Sequence, residues 1–174
     1  MAAPTAALHF TPEVMDRLKV RGIDVCEITL HVGLGTFQPI HAENVEEHRM
    51  HTEAYEIPEA TAAKIGEARR GGRRVLAVGT TMVRSLEDAA QKQAGRGACG
   101  DAFPSGHGEA DIFIRPGHEF RVVDQMLTNF HLPKSSLLVM VSAFAGRELI
   151  RGAYEHAIEA GYRFFSYGDC MLIR

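Results

Sequence analysis

The stretch Arg74-Val75-Leu76-Ala77-Val78-Gly79-Thr80-Thr81 passes from an apolar run to a glycine and two hydroxyl side chains. The apolar run predicts a short buried strand over 74–78, and the polar end predicts a helix over about 82–93. A strand that leads directly into a helix is the repeating unit of an α/β fold. This stretch therefore sets the fold class expected for the chain.

The junction between this strand and this helix is a candidate ligand site. The N–H groups near Gly79 and the hydroxyls of Thr80 and Thr81 suit a carboxylate, phosphate or ribose oxygen. Arg84, one turn into the helix, adds a positive charge and a forked donor. The structural alternative is that Thr80 or Thr81 only caps the helix.

The segments before the junction extend the same alternation. A helix is predicted over 11–21, because Thr11 is a suitable N-cap and Gly22 ends the pattern. A strand is predicted over 23–32 and a helix over 58–70, giving a strand–helix–strand–helix order. We therefore expect one α/β domain over residues 1–174.

Further elements are predicted after the junction. A glycine- and alanine-rich stretch is expected to be a mobile loop over 94–108. The other predictions are a hairpin of 111–115 and 119–124, helices over 135–145 and 147–160, and closing strands over 162–165 and 170–173.

The composition limits the class of protein. The chain has 174 residues and a formal net charge of −3, which excludes a generally basic nucleic-acid binder but not a local basic patch. The cysteines are Cys26, Cys99 and Cys170, a scattered odd set that favours reduced thiols over a disulfide framework. The N-terminus lacks signal-peptide features, and the apolar run 137–145 is too short to span a bilayer. We expect a cytoplasmic protein with no membrane segment.

The block Thr128–Ser136 gathers hydroxyls, an amide, an imidazole and an ammonium just before an apolar helix. Each of these groups needs a partner or water, since an unpaired buried polar group costs roughly 1–3 kcal/mol. Thr128, Asn129, His131 and Lys134 are therefore candidate ligand-binding residues. Ser135 is another candidate, although Ser135 or Ser136 is also a natural helix N-cap.

Two histidine-containing stretches are further candidates. His31 is expected at a strand end, followed by Gly33, Gly35 and Thr36, where backbone could approach a ligand or simply turn. The second stretch contains His48, His51 and Glu53, a spacing open to three interpretations. It could ligate zinc, perform acid–base chemistry, or form a solvated loop.

The last candidates are two residues near the C-terminus and a basic patch. Tyr167 and Asp169 follow an aromatic stretch, and Asp169 could bind a ribose hydroxyl, orient a histidine, or act as a turn residue. The densest basic patch could contact RNA or form a solvated face, and it consists of Arg69, Arg70, Arg73 and Arg74.

Seven stretches, in order along the chain, resemble the S-adenosylmethionine:tRNA ribosyltransferase-isomerase family of queuosine biosynthesis. They are PTAALHFTPE, HVGLGTFQP, EEHRMHTE, GGRRVLAVGTTMVRSLE, DIFIRPGHEF, TNFHLPKSSLLVMVSAFAG and YRFFSYGDCMLI. The resemblance implies a mixed sheet or partial barrel with flanking helices. It also implies that the chain lacks the N-terminal part and the small all-β domain of a family member. The chain would then be a C-terminal segment, the product of a truncated reading frame, or a split subunit whose partner is the N-terminal half.

The resemblance also implies the chemistry. S-adenosylmethionine would be a cosubstrate and ribosyl donor, with no prosthetic group and no metal. Its ribosyl moiety would be transferred to, and isomerised on, 7-aminomethyl-7-deazaguanine in a tRNA with a GUN anticodon. The products would be epoxyqueuosine in tRNA, adenine and methionine.

The implied roles fall into two groups. The expected acid–base residues are His31, His48, His51, Glu53 and His131. The other candidates named above are expected to position the ribose, the methionine carboxylate or the modified base, and the four arginines are expected to contact RNA. Two alternatives stay open: a truncated, inactive module that binds S-adenosylmethionine or RNA, and a metal-dependent hydrolase using His48, His51 and Glu53.

Overall fold

A computed structural model describes residues 5–31, 33, 50–95 and 102–174. The chain begins with a 3₁₀ helix, Thr5–His9. The helices are α1 Pro12–Val20, α2 Glu59–Arg70, α3 Thr80–Gly95, α4 Ser136–Ala145 and α5 Arg147–Glu159. The strands are β1 Thr29–His31, β2 Glu53–Ile57, β3 Leu76–Val78, β4 Gly106–Ala110, β5 Gln125–Asn129 and β6 Cys170–Ile173.

The described strands form two three-stranded sheets. One is antiparallel in the order β1-β2-β4, and the other is mixed in the order β3-β5-β6. In the mixed sheet β3 and β5 are parallel, with Val78 opposite Leu127, and β6 is antiparallel to β5. The predicted α/β class with flanking helices is confirmed.

One apolar cluster connects the two sheets through α3. It includes Ile57 of β2, Val83 of α3, Met126 of β5 and Val141 of α4, all almost completely buried. Helix α3 lies at its centre, and every residue from Val83 to Ala90 is buried. Because charged residues of α3 are buried as well, their partners determine how the surrounding loops run.

The local helix signals were read correctly. The hydroxyl of Thr11 accepts the Val14 N–H at 3.4 Å at the start of α1. Ser135 caps α4 in the same way, accepting the Leu138 N–H at 3.2 Å. Gly146, with φ of 90°, separates α4 from α5 in a conformation that a residue with a side chain adopts only with strain.

The predicted hairpin of 111–115 and 119–124 is wrong, although a turn does join Arg115 to His118. Side chains of α3 take the backbone groups that a hairpin would pair. The Glu87 carboxylate accepts the N–H groups of Arg121, Val122 and Val123 at 2.8–3.0 Å. Arg84 donates to the carbonyl of Ile112 at 3.1 Å.

Three strand predictions also differ from the structure. Only Thr29–His31 of the predicted strand 23–32 is a strand, and Val32 lies outside the described residues. Similarly, β3 is shorter than 74–78 and its Leu76 is 40% exposed. Residues 162–165 form no strand, because the backbone turns at Phe165 with φ of 71°.

The predicted loop 94–108 is partly ordered secondary structure. Helix α3 continues to Gly95, and 106–108 begin β4, which pairs with β2. Gly108 lies under the ring of Tyr55, where a Cβ atom would overlap the aromatic carbons. The glycine therefore marks a close packing contact in a strand, whereas residues 96–101 lie outside the described part of the chain.

Candidate active site

The carboxyl ends of the parallel strands β3 and β5 bring the two predicted ligand segments together. The Gly79 N–H donates to the Leu127 carbonyl at 2.8 Å, and Gly79 has φ of 100°. Helix α3 then begins at Thr80, which is buried beside the end of β5. Ligands of open α/β sheets bind at this edge of the strands.

Asn129, the last residue of β5, joins three segments of the chain. Its contacts with Thr5, His9 and Gly168 form a group that we call the Asn129 cluster. Its Nδ2 donates to the Gly168 carbonyl at 3.1 Å and contacts His9 Nε2 at 3.3 Å. The Thr5 hydroxyl donates to the other amide atom, Oδ1, at 3.4 Å. Since the amide nitrogen only donates, His9 Nε2 must accept, which leaves the ring proton on Nδ1.

His131 is a buried, neutral imidazole. Its Nε2 lies 2.9 Å from the Thr128 hydroxyl, and its backbone N–H donates to the Tyr154 hydroxyl at 2.8 Å. Burial lowers the pKa of His131 to about 4 and raises the pKa of Tyr154 to about 12. His131 can therefore donate or accept a hydrogen bond near pH 7, but it carries no charge there.

The turn after His131 leads into α4. Ser135 both caps the helix and donates to the Leu132 carbonyl at 2.8 Å. Its described contacts are therefore those of a helix N-cap. Lys134 is exposed and has φ of 59°. Lys134 and Phe165 are the non-glycine residues with positive φ among those described. Lys134 lies three residues after His131, and Phe165 lies three residues before Gly168.

A second polar cluster surrounds Glu53. Its carboxylate lies 2.9 Å from Arg84 Nη1, and both side chains are 3% exposed. Arg84 also donates to the carbonyls of His51 and Ala110, so protein acceptors occupy its donors. Burial raises the pKa of Glu53, while the charge of Arg84 and the Gly33 N–H oppose that rise.

Helix α3 connects the two clusters. Thr80 borders the end of β5, and Arg84 lies one turn later on the same face. Four residues of an α-helix span about 6 Å along its axis. The ion pair with Glu53 therefore helps to hold the first turn of α3, which follows directly after the Gly79 N–H bond to Leu127 of β5.

The other predicted site residues have varied settings. His31, Gly33 and His51 are exposed near Glu53, while Gly35, Thr36 and His48 lie outside the described residues. Asp169 receives the Arg163 N–H at 2.8 Å, the largest cause of its lowered pKa. The four arginines are exposed at the end of α2 and before β3, where Arg73 lies 3.6 Å from Asp24.

Thr5, His9 and Tyr154 are candidate site residues that the sequence analysis missed, because they contact Asn129 or His131. His9 lies 120 positions from Asn129 along the chain, so no local spacing links them. The stretch PTAALHFTPE contained Thr5 and His9 as part of a recognisable block, which was the available signal. Tyr154 had no such signal, since a tyrosine in a helix is usually a packing residue.

An apolar groove of about 510 Å³ lies away from this site, along the outer edge of β3. Its lining includes Ile23, Val25, Thr61, Leu76 and Met82. Within the described part of the chain, no strand pairs with that edge of β3. Val25 is 52% exposed there, so the groove has unburied apolar side chains.

Two other kinds of feature are absent from the described residues. None of the helices within them is both long and apolar enough to cross a membrane. No group of three or more His, Cys, Asp or Glu side chains within them could hold a metal ion.

Relatives of the chain carry a common name. The chain is 57% identical over 174 residues to an S-adenosylmethionine:tRNA ribosyltransferase-isomerase of Natranaerobius thermophilus. This match covers 100% of the chain and 49% of the relative. A Burkholderia pseudomallei protein of the same name is 57% identical over 173 residues, covering 99% of the chain and 47% of that protein.

A solved structure and a family model agree with these relatives. The crystal structure of a Thermotoga maritima S-adenosylmethionine tRNA ribosyltransferase has a TM-score of 0.77 and 41% identity, over 97% of this chain and 51% of that one. The chain thus spans about half the length of the relatives it matches. The model described as "Queuosine biosynthesis protein" matches residues 1–173, and the chain belongs to that family.

Proposed function

We propose that this chain provides the part of a ribosyltransferase-isomerase that holds S-adenosylmethionine. The ribosyl moiety is transferred to the aminomethyl group of 7-aminomethyl-7-deazaguanine in a GUN-anticodon tRNA and is isomerised. Epoxyqueuosine in tRNA, adenine and methionine result. We propose a cytoplasmic location for this reaction, because its substrate would be a tRNA. The observation that carries the proposal is the meeting of Asn129, His9 and Gly168 at the end of β5, next to the strand that leads into α3, in a chain 57% identical to enzymes of that name.

The proposed reaction requires a base and a hydrogen-bond donor or acid. The proton on C5′, next to the sulfonium, must pass to a base, and the departing adenine must gain a hydrogen-bond donor or a proton. His9, His31 and His51 are partly or fully exposed and can meet solvent or a ligand. The neutral His131, held by Thr128, instead positions the cluster. The N–H groups at the start of α3 suit the methionine carboxylate.

Asn129→Asp is expected to weaken S-adenosylmethionine binding about tenfold, because it removes a donor while keeping the side-chain shape. The Nδ2 bond to the Gly168 carbonyl is lost, and the His9 contact can form only if the imidazole proton moves to Nε2. Binding is measured by calorimetry, and adenine release is measured with tRNA carrying the aminomethyl base. Thr29→Val, on exposed β1, is the matched control and should leave both readouts unchanged.

The wild-type results separate the alternatives. Adenine release supports the transferase, whereas binding of S-adenosylmethionine without release supports the truncated binding module. Absence of both binding and release rejects the proposed function. A stoichiometric, tightly held metal would instead favour the hydrolase.

The relatives are about twice as long as this chain. We propose that the groove beside β3 binds a segment of the half that the relatives have and this chain does not cover. An unpaired sheet edge can add a strand, and exposed apolar side chains beside it supply area to bury. That half of the Natranaerobius thermophilus relative, produced as a separate chain, should bind this protein. Leu76→Lys should weaken the complex about tenfold, since a charge must then be desolvated at the contact.

Titration by light scattering or calorimetry tests this interaction. Leu149→Lys is the control, because Leu149 is an exposed leucine of α5 that does not line the groove. Equal weakening by both substitutions, or no complex with the wild type, would reject the groove as the contact surface.

A further inference from the structure

The segment from Tyr162 to Asp169, here called the aromatic loop, is fixed against the end of β5. The Phe165 N–H donates to the Phe130 carbonyl at 2.9 Å, and the Phe130 N–H donates to the Asp169 carbonyl at 3.3 Å. The Asn129 amide holds the Gly168 carbonyl at the same place. The aromatic loop therefore forms one border of the candidate site.

Aromatic side chains anchor the inner side of this loop. The Phe164 ring lies 5.2 Å from the Phe130 ring and 5.7 Å from the Tyr154 ring, measured between centroids. The Tyr162 ring lies 5.8 Å from Phe130. The loop's attachment thus rests on these inner rings and the backbone bonds.

The outer side presents the Tyr167 ring to solvent, and the Phe165 ring beside it is partly exposed. Tyr167 is 86% exposed and Phe165 is 41% exposed. Phe165 has φ of 71°, a conformation that is unfavourable for a bulky residue and recurs at ligand-binding segments. Gly168 permits the turn, because a Cβ atom there would overlap the Arg163 carbonyl. An exposed ring contributes little to the core, so stability does not explain Tyr167.

We propose that Tyr167, together with Phe165, is a stacking surface for unpaired bases of the anticodon loop. Proteins recognise single-stranded RNA loops by stacking splayed bases on aromatic rings. Under the proposed function, on which this inference rests, one base of that loop enters the Asn129 cluster. Its neighbours must then lie over the border of the site, where Tyr167 is placed.

Charge and position favour this surface over the arginine patch. Arg163 lies within the aromatic loop with a 76% exposed side chain, available to a phosphate even beside Asp169. Arg73 and Arg74 precede the amino end of β3, whereas the site lies at its carboxyl end. Bases next to the reacting nucleotide therefore reach Tyr167 before they reach those arginines.

Binding of a fluorescent anticodon stem-loop RNA, followed by anisotropy, tests the inference without requiring turnover. Tyr167→Ala should raise Kd about tenfold, the effect of losing one stacked base. Tyr167→Phe should bind like the wild type, because the ring stays. Leu149→Ala, which truncates another exposed apolar side chain on α5, is the control.

The outcomes distinguish failure of the stacking inference from failure of the proposed function. If the wild type binds no stem-loop, the proposed function fails and the inference fails with it. If the wild type binds and Tyr167→Ala is unchanged, the stacking surface alone is rejected. Equal weakening by Tyr167→Phe and Tyr167→Ala would assign the contact to the hydroxyl and overturn stacking.

Discussion

Replacing Arg84 by Met is expected to lower the free energy of unfolding by about 3–5 kcal/mol, the usual effect of removing one partner of a buried ion pair. Glu53 would keep its burial while losing the guanidinium 2.9 Å away. The carbonyls of Ala110 and Ile112 would also lose a donor. Urea unfolding at pH 7, followed by circular dichroism, measures the change.

Three variants test the cause of this loss. Arg84→Lys keeps the charge but not the forked geometry, so an intermediate loss is expected. The double variant Arg84→Met with Glu53→Met should recover part of the loss, because no charge is then left buried. Arg151→Met, on the exposed surface of α5, should change stability by only about 0.5 kcal/mol or less.

This prediction bears on the role of Arg84 as well as on stability. The sequence suggested a cosubstrate contact, yet the described donors of Arg84 all point to protein acceptors. A loss below about 1 kcal/mol for Arg84→Met would contradict the structural assignment, since removal of a buried partner costs more than that. It would return Arg84 to the set of ligand-binding candidates.

Local sequence signals predicted the helices well, because each signal acts within a few residues. Thr11 and Ser135 cap their own helices, and Gly146 ends one helix directly before the next. The apolar pattern of 74–78 likewise predicted a strand that exists, although it is shorter. Tertiary partners change such boundaries far more than they change the presence of an element.

Long-range side-chain contacts explain the failures. Glu87 accepts N–H groups from residues 34–36 positions away, and no spacing rule in 119–124 contains that information. Gly108 looked like a loop residue, but its missing side chain makes room for Tyr55. In both cases a neighbour remote in sequence decides between strand and loop.

In the candidate site, too, local sequence patterns identified some residues but not their distant partners. Thr128, Asn129 and His131 were identifiable because several polar groups stand together just before an apolar helix. Their partners were not identifiable individually, because Thr5 joins Asn129 across 124 positions. The neutral state of His131 depends on its burial, which a sequence pattern does not specify.

His131 should make the protein lose stability as the pH falls. Burial lowers its folded-state pKa to about 4 from an ordinary value of 6.5. A lowered pKa adds stability that is fully present above pH 6.5 and disappears as the pH falls through 4. With 1.36 kcal/mol for each pKa unit, the loss attributable to this residue is about 3 kcal/mol. Urea unfolding between pH 7 and pH 4 measures it.

The substitution His131→Gln isolates this contribution, because glutamine can still hydrogen-bond Thr128 but does not titrate. The variant should lose about 3 kcal/mol less than the wild type over the same pH range, whatever its stability at pH 7. His107→Gln is the control, since the His107 side chain is 83% exposed, and it should follow the wild type. Parallel losses in the wild type and in His131→Gln would mean that His131 titrates normally. The buried, neutral imidazole would then be the wrong description of this site, and His131 would be available as a charged acid near neutral pH.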